Sequence, residues 1–156
     1  MSNMKEIKFK IYDPLETEER ILRLGGSYLD TINAVDTYFN QPEDKVLKIY
    51  EDERESYLIE LEPNSFEGFD YIQKCKLDDV EKEKKELNDE FGVHKVLKKV
   101  KRRFNYSDHQ IYINTIEGLG DFVIIFYESE IPDNINIIED LCIERSEQIT
   151  VPFSKL

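Results

Sequence analysis

From Lys5 onward, charged and apolar side chains alternate: Glu6, Lys8 and Lys10 fall on one side, Ile7, Phe9 and Ile11 on the other. This is the two-residue period of a strand, and one whole face of it is charged. Asp13-Pro14 then supplies an N-cap and a first-turn proline, apolar residues recur at Ile21, Leu22 and Leu24, and Gly25-Gly26 ends the run. The pattern predicts a short amphipathic helix. Strand patterns follow at 27–39, 46–50 and 57–61, separated by turn material such as Asn40-Gln41-Pro42-Glu43-Asp44, and read as an antiparallel meander. A short strand near 69–72 leads to a helix over 77–91, closed by Gly92, whose EKEKKE run is a solvated face. The last third predicts strands near 93–106, 110–116 and 122–127 and a helix over 134–143.

Many strands, few helices and short connections indicate an antiparallel α+β domain, and closing its sheet removes the exposed edges. A chain of 156 residues suits one domain, 1–156, and neither an internal repeat nor a linker divides it. With 40% hydrophobic and 12% aromatic residues and no low-complexity tract, the composition is that of a globular chain. Its formal net charge of −13 disfavours nucleic acid and anionic membrane over the surface as a whole, so any anion site has to be local. The start lacks the apolar core of a signal peptide, Cys75 and Cys142 form no paired motif, and no apolar run reaches the length of a membrane span. A cytoplasmic protein with no membrane partner is the expectation.

Four segments in order, Lys5-Glu6-Ile7-Lys8-Phe9, Asp36-Thr37-Tyr38-Phe39, Leu47-Lys48-Ile49-Tyr50-Glu51 and Glu117-Gly118-Leu119-Gly120-Asp121-Phe122, resemble the motifs of the CYTH superfamily. The C-terminal Gln148-Ile149-Thr150-Val151-Pro152-Phe153-Ser154-Lys155-Leu156 is similar to that family's closing segment. Class IV adenylate cyclases, thiamine triphosphatases and other triphosphate tunnel enzymes belong to it. The resemblance implies a closed or nearly closed antiparallel β tunnel of about eight strands with a few flanking helices. It also implies basic side chains lining the tunnel for a triphosphate, and carboxylates holding Mg or Mn.

Residue by residue, the likeness is incomplete. Met4-Lys5-Glu6-Ile7-Lys8 aligns with a Glu-x-Glu-x-Lys motif and keeps Glu6 and Lys8, while Met4 replaces the first carboxylate. Leu47-Lys48-Ile49-Tyr50 aligns with Leu-Arg-Ile-Arg, keeping one cation as Lys48 and turning the other into the phenol of Tyr50. Glu60 and Glu62 stand where a Lys or Arg before Pro63 is usual, which reverses the charge. Lys99, Lys101 and Arg103 fall at period two, the spacing that lines one wall, with Lys98 and Arg102 facing out. A solvated basic stretch is the plain alternative for KKVKRR. After Gly120 the family's Phe-x-Glu-x-Glu becomes Phe122-Val123-Ile124-Ile125-Phe126, so both metal-side carboxylates are lost, and Asn114 replaces an Asp. His94 reads as a surface or capping residue, Cys142 as packing on a helix face, and Cys75 has no activating partner.

Three functions fit these residues. In the first, the tunnel binds a phosphorylated or other anionic small molecule through Lys8, Lys48, Tyr50, Lys99, Lys101 and Arg103, with family catalysis reduced or absent. In the second it is an active Mg- or Mn-dependent triphosphatase or adenylate cyclase-like enzyme acting on a triphosphate-bearing substrate, its metal held by an unconventional set from Glu6, Glu60, Glu62 and Glu117. The third is a non-catalytic scaffold whose acidic exterior meets a basic protein.

Overall fold

The computed structural model describes residues 4–65, 68–128 and 134–156. In chain order these form β1 (Lys5–Ile11), α1 (Pro14–Arg23), β2 (Ser27–Phe39), β3 (Val46–Asp52), β4 (Ser56–Pro63) and β5 (Phe69–Lys76). Then come α2 (Val80–Phe91), β6 (Val93–Tyr106), β7 (His109–Ile116), β8 (Gly120–Tyr127), α3 (Asn134–Asp140) and the two-residue β9 (Gln148–Ile149). The sheet order is β5-β4-β3-β2-β6-β7-β8-β1-β9, and β5 also pairs with β1. That last pairing closes eight antiparallel strands into a barrel, the tunnel expected from the sequence.

Closure is the narrowest seam: Lys5 faces Asp70 and Glu6 faces Phe69. Lys5 Nζ also reaches Asp70 Oδ1 at 2.7 Å. A Cβ on Gly68 would lie 2.5 Å from the Glu6 carbonyl oxygen, so the strands meet here only because residue 68 has no side chain. The broadest seam joins β2 to β6, from Ser27↔Asn105 to Phe39↔Val93.

Both faces of β1 are largely buried, so it carries apolar residues on one side and charges on the other without exposing either. Ile7, Phe9 and Ile11 pack outward with Phe104, Ile111, Ile113, Val123 and Ile125 beneath Ile21 of α1 and Ile137, Ile138 and Leu141 from α3 and its end. Ile21 has no exposed surface, and burying such a side chain contributes about 1.5–3 kcal/mol. Around the barrel, Phe39, Leu47 and Ile49 pack outward against Leu77, Val80 and Leu87 of the α2 segment.

The helix ends follow local capping chemistry. Asp13 accepts from Glu16 N at 3.1 Å and Pro14 opens α1, while Gly25 leaves it at φ 97°. Asp79 accepts from Lys82 N at 3.2 Å, so α2 begins at Val80, later than the expected 77. The last helix also stops short of 143, at Asp140, because Cys142 adopts φ 55°; its thiol is exposed and free, not packed. Strand β5 runs past the expected 72 to Lys76, and no described helix is long and apolar enough to cross a membrane.

Candidate functional site

Strand alternation sends one face of each strand into the barrel, where a cavity of about 120 Å³ is lined by Glu6, Lys8, Lys48, Lys99 and Lys101 among others. Lys8 comes from β1, Lys48 from β3, and Lys99 and Lys101 from β6, so residues distant in sequence meet at one place. Along β2, Asp30, Ile32, Ala34, Asp36 and Tyr38 share the inner face, opposite Arg103, Lys101, Lys99, Leu97 and Lys95 in register.

Asp36 organises the cations. Its Oδ2 accepts from Lys48 Nζ at 3.2 Å and from Lys99 Nζ at 2.7 Å, and the carboxylate is 1% exposed. Burial pushes its pKa up, yet the two ammoniums outweigh that and hold it below the usual carboxylate range. Burial is also the largest influence on both lysines, but they end on opposite sides of the ordinary value. Lys48 is raised by Asp36, Tyr38 and Glu6, whereas Lys99 is lowered because Lys48 adds repulsion to its burial. One carboxylate supplies one countercharge to two ammoniums, which keep it ionised.

Lys101 and Lys8 have less compensation. Lys101 Nζ lies 4.2 Å from the Tyr50 ring centroid and 5.2 Å from that of Tyr112. Burial, then the neighbouring Lys99, lowers its pKa from 10.5 to about 7. Lys8 Nζ sits between the rings of Phe69 and Phe153, at 4.3 and 4.1 Å from their centroids, and donates to the Val151 carbonyl at 3.4 Å. Burial lowers it to about 8, partly offset by Glu6.

Two of the expected anion ligands line the cavity with their donors already engaged. Tyr50 OH donates to Asp52 at 2.5 Å, and burial together with that carboxylate raises its pKa. Arg103 forms a two-pronged pair with Asp30, both contacts at 2.6 Å. Arg102 faces out and grips Glu18 of α1, at 3.1 and 2.5 Å.

The expected carboxylate ligands do not assemble. Glu6 is inside and buried, but Glu60 lies between Ile59 and Leu61, which line the cavity, so alternation turns it to the outer face. Glu62 is exposed, and Glu117 sits exposed in the β7–β8 turn, its N–H donating to Lys98 O at 2.9 Å. Ile124 and Phe126 occupy the cavity wall on β8, and Met4 lines it at the other lost position. Among the described residues no group of three or more His, Cys, Asp or Glu side chains is arranged to hold a metal ion. The donor set therefore does not fit a two-metal centre.

Tyr71, Lys74 and Tyr112 are not singled out by the sequence, and neither is the central place of Asp36. Asp36 was visible as part of a motif, but only the pairing of β2 with β3 and β6 reveals two lysines on it. Tyr71 and Lys74 both face inward although an even number of residues does not separate them, because a bulge opposite Glu60/Leu61 shifts the register of β5. Tyr112 and Asn114 alternate with Ile111 and Ile113 on β7, a period-two signal that could have marked the inner face. Asn114 is 1% exposed and its Oδ1 has no hydrogen-bond partner among the described residues, which leaves it open to a ligand or water. His94 bonds the Ser154 carbonyl at 3.2 Å and is no part of the cavity wall.

No protein-family model matches the sequence, and no curated protein matches it either. Solved structures do resemble it. A conserved hypothetical protein from Pyrococcus furiosus is 21% identical with a TM-score of 0.86, over 98% of this chain and 99% of that one. A provisionally assigned adenylate cyclase from Vibrio parahaemolyticus is 11% identical with a TM-score of 0.78, over 99% and 97%. A Hippeastrum protein, provisionally assigned as an adenylyl cyclase and showing a dominant triphosphatase activity, is 14% identical with a TM-score of 0.59, over 90% and 88%. At these identities the likeness is one of fold, and the closed eight-stranded barrel agrees with it: the chain has the CYTH-type tunnel fold.

Proposed function

We propose that this protein binds a phosphorylated or otherwise anionic small molecule in its tunnel, with the triphosphate chemistry of the fold's enzymes reduced or absent. The observation that carries this reading is the convergence of Lys8, Lys48, Lys74, Lys99 and Lys101, with Arg54 and Arg103, on one cavity whose wall carries Glu6, Asp52 and Glu55 and whose cations also bond Asp30 and Asp36. Seven cations against five carboxylates leave an excess of two positive charges there, in a chain whose net charge is −13. Burying such an excess is costly unless an anion enters, so these lysines are better explained by a ligand than by stability.

The absence of paired carboxylates on β8 argues against metal-assisted phosphoryl transfer, since Ile124 and Phe126 offer no oxygen to a cation. Losing even one preorganised electrostatic group lowers turnover by roughly a hundredfold. Tripolyphosphate hydrolysis is therefore expected to be at least about that much slower than in an enzyme with the full carboxylate set.

A thermal-shift panel of nucleotides, tripolyphosphate and thiamine phosphates, each with EDTA, Mg²⁺ or Mn²⁺, tests the reading. Stabilisation by anions in EDTA is the expected result. Rapid metal-dependent release of phosphate or pyrophosphate would promote the enzyme alternative, and no stabilisation by any anion would leave the scaffold.

A further inference from the structure

The tunnel has two chemically different sides. One carries Lys48 on β3 and Lys99 and Lys101 on β6; the other is built from Tyr71 on β5, Tyr112 on β7, and Ile124 and Phe126 on β8, with Lys8 of β1 paired to Ile124. Phe126 is the centre of this side: its ring centroid lies 4.6 Å from that of Tyr112, tilted by 60°, and 6.4 Å from that of Tyr71. Burial raises the phenols of Tyr71 and Tyr112, so both stay neutral. Rings held in tilted contact present faces and edges to a third ring.

This apolar side lies within the same cavity as Lys101, whose Nζ is 5.2 Å from the Tyr112 centroid. A chain of phosphates alone would place charged, strongly hydrated oxygens against Phe126 and Ile124 and gain nothing from them. The cationic side meanwhile has a limited capacity. Lys48 and Lys99 share Asp36, Lys8 lies near Glu6, and Asp52 and Glu55 stand beside Arg54, Lys74 and Lys101, so six cations face four carboxylates, an excess of two charges when all are ionised. Arg103 is already neutralised by Asp30. An excess of two matches one phosphate monoester dianion.

We infer that the ligand is an aromatic phosphate monoester, held by its dianionic head at Lys48, Lys99 and Lys101 and by its ring against Tyr112, Phe126 and Tyr71, without a divalent cation. This inference rests on the anion-binding reading above and narrows it. Head and ring are recognised by different walls, so neither alone gives full affinity.

Calorimetric titration in EDTA at about pH 6.5, where the lysines are protonated, separates the two walls. The probes are 2-naphthyl phosphate, 2-naphthyl sulfate, 2-naphthol, methyl phosphate and tripolyphosphate. We expect 2-naphthyl phosphate to bind at least about tenfold more tightly than methyl phosphate, 2-naphthyl sulfate or 2-naphthol, and to compete with tripolyphosphate. Tyr112→Leu should shrink the ratio of naphthyl to methyl phosphate affinity by about tenfold. Equal affinity for naphthyl and methyl phosphate, or binding of tripolyphosphate alone, would overturn the inference while leaving the anion tunnel intact. Naphthyl phosphate binding that tripolyphosphate does not displace would overturn it too, by placing the aryl group elsewhere. If no phosphate binds at all, both readings fall together.

Discussion

Lys99 donates to the same Asp36 oxygen that Lys48 does, at 2.7 Å, from a strand on the other side of β2. A single buried carboxylate thus ties three strands together. Asp36→Asn would keep the shape and remove the countercharge, leaving two buried ammoniums facing each other. We expect a loss of about 3–5 kcal/mol in urea-induced unfolding, the range for breaking one side of a buried ion pair. Tripolyphosphate should restore part of it by supplying negative charge. A change of less than about 0.5 kcal/mol would show that the cluster is not held by Asp36.

Lys101 presents the opposite case, since burial and Lys99 penalise its charge more than the nearby Asp36 and Asp52 favour it, and among the described residues no carboxylate is bonded to it. Lys101→Met should leave the ligand-free protein at least as stable as the parent at neutral pH. The same change should weaken tripolyphosphate binding by about 1.5–3 kcal/mol, the strength of a charge-assisted hydrogen bond. Full affinity in the variant, read by calorimetry, would remove Lys101 from the anion site.

Lys8 and Lys101 set a pH dependence, in the same direction as Lys74 and Lys99, which burial also lowers. Folding lowers Lys101 to about 7 and Lys8 to about 8 from 10.5, so between these values and 10.5 the unfolded chain binds more protons than the folded one. Stability contributed by these groups therefore rises with pH across that window. An anion favours the protonated lysines and acts in the other direction: its stabilising effect is largest below about pH 7 and fades as pH climbs past about 8. Melting curves with and without tripolyphosphate check both slopes. A ligand effect that grows with pH would contradict the assignment.

Much of this was legible in the sequence because the signal was local. The alternation of Glu6 and Lys8, and of Lys99, Lys101 and Arg103, identifies an inner face from neighbours two residues apart, and Ile124 and Phe126 announce an apolar wall in the same way. Asp36 was not legible as a hub, since its partners lie 12 and 63 residues away and only register brings them in. Tyr71 and Lys74 were hidden by the β5 bulge, which breaks the period that would reveal them. Glu60 and Glu117 do not join Glu6 on the cavity wall for a complementary reason: residue type suggests a ligand, but orientation decides whether it meets the others.

Restoring carboxylates on β8 tests why metal chemistry is weak. The double substitution Ile124→Glu with Phe126→Glu should lower stability in EDTA, because two carboxylates enter an apolar wall beside Tyr112. Mn²⁺ should then raise the melting temperature of the variant more than that of the parent, as new oxygen ligands join Glu6. Equal Mn²⁺ effects on both proteins would mean that these positions do not face a metal-binding space.

Anion binding by the unmodified protein is measured most directly by titrating tripolyphosphate into it calorimetrically, in EDTA and at about pH 6.5 where the lysines are charged. One anion per chain, with affinity reduced about tenfold or more in Lys101→Met, is the predicted result. No binding, or binding that Lys101→Met leaves untouched, would contradict an anion-holding tunnel.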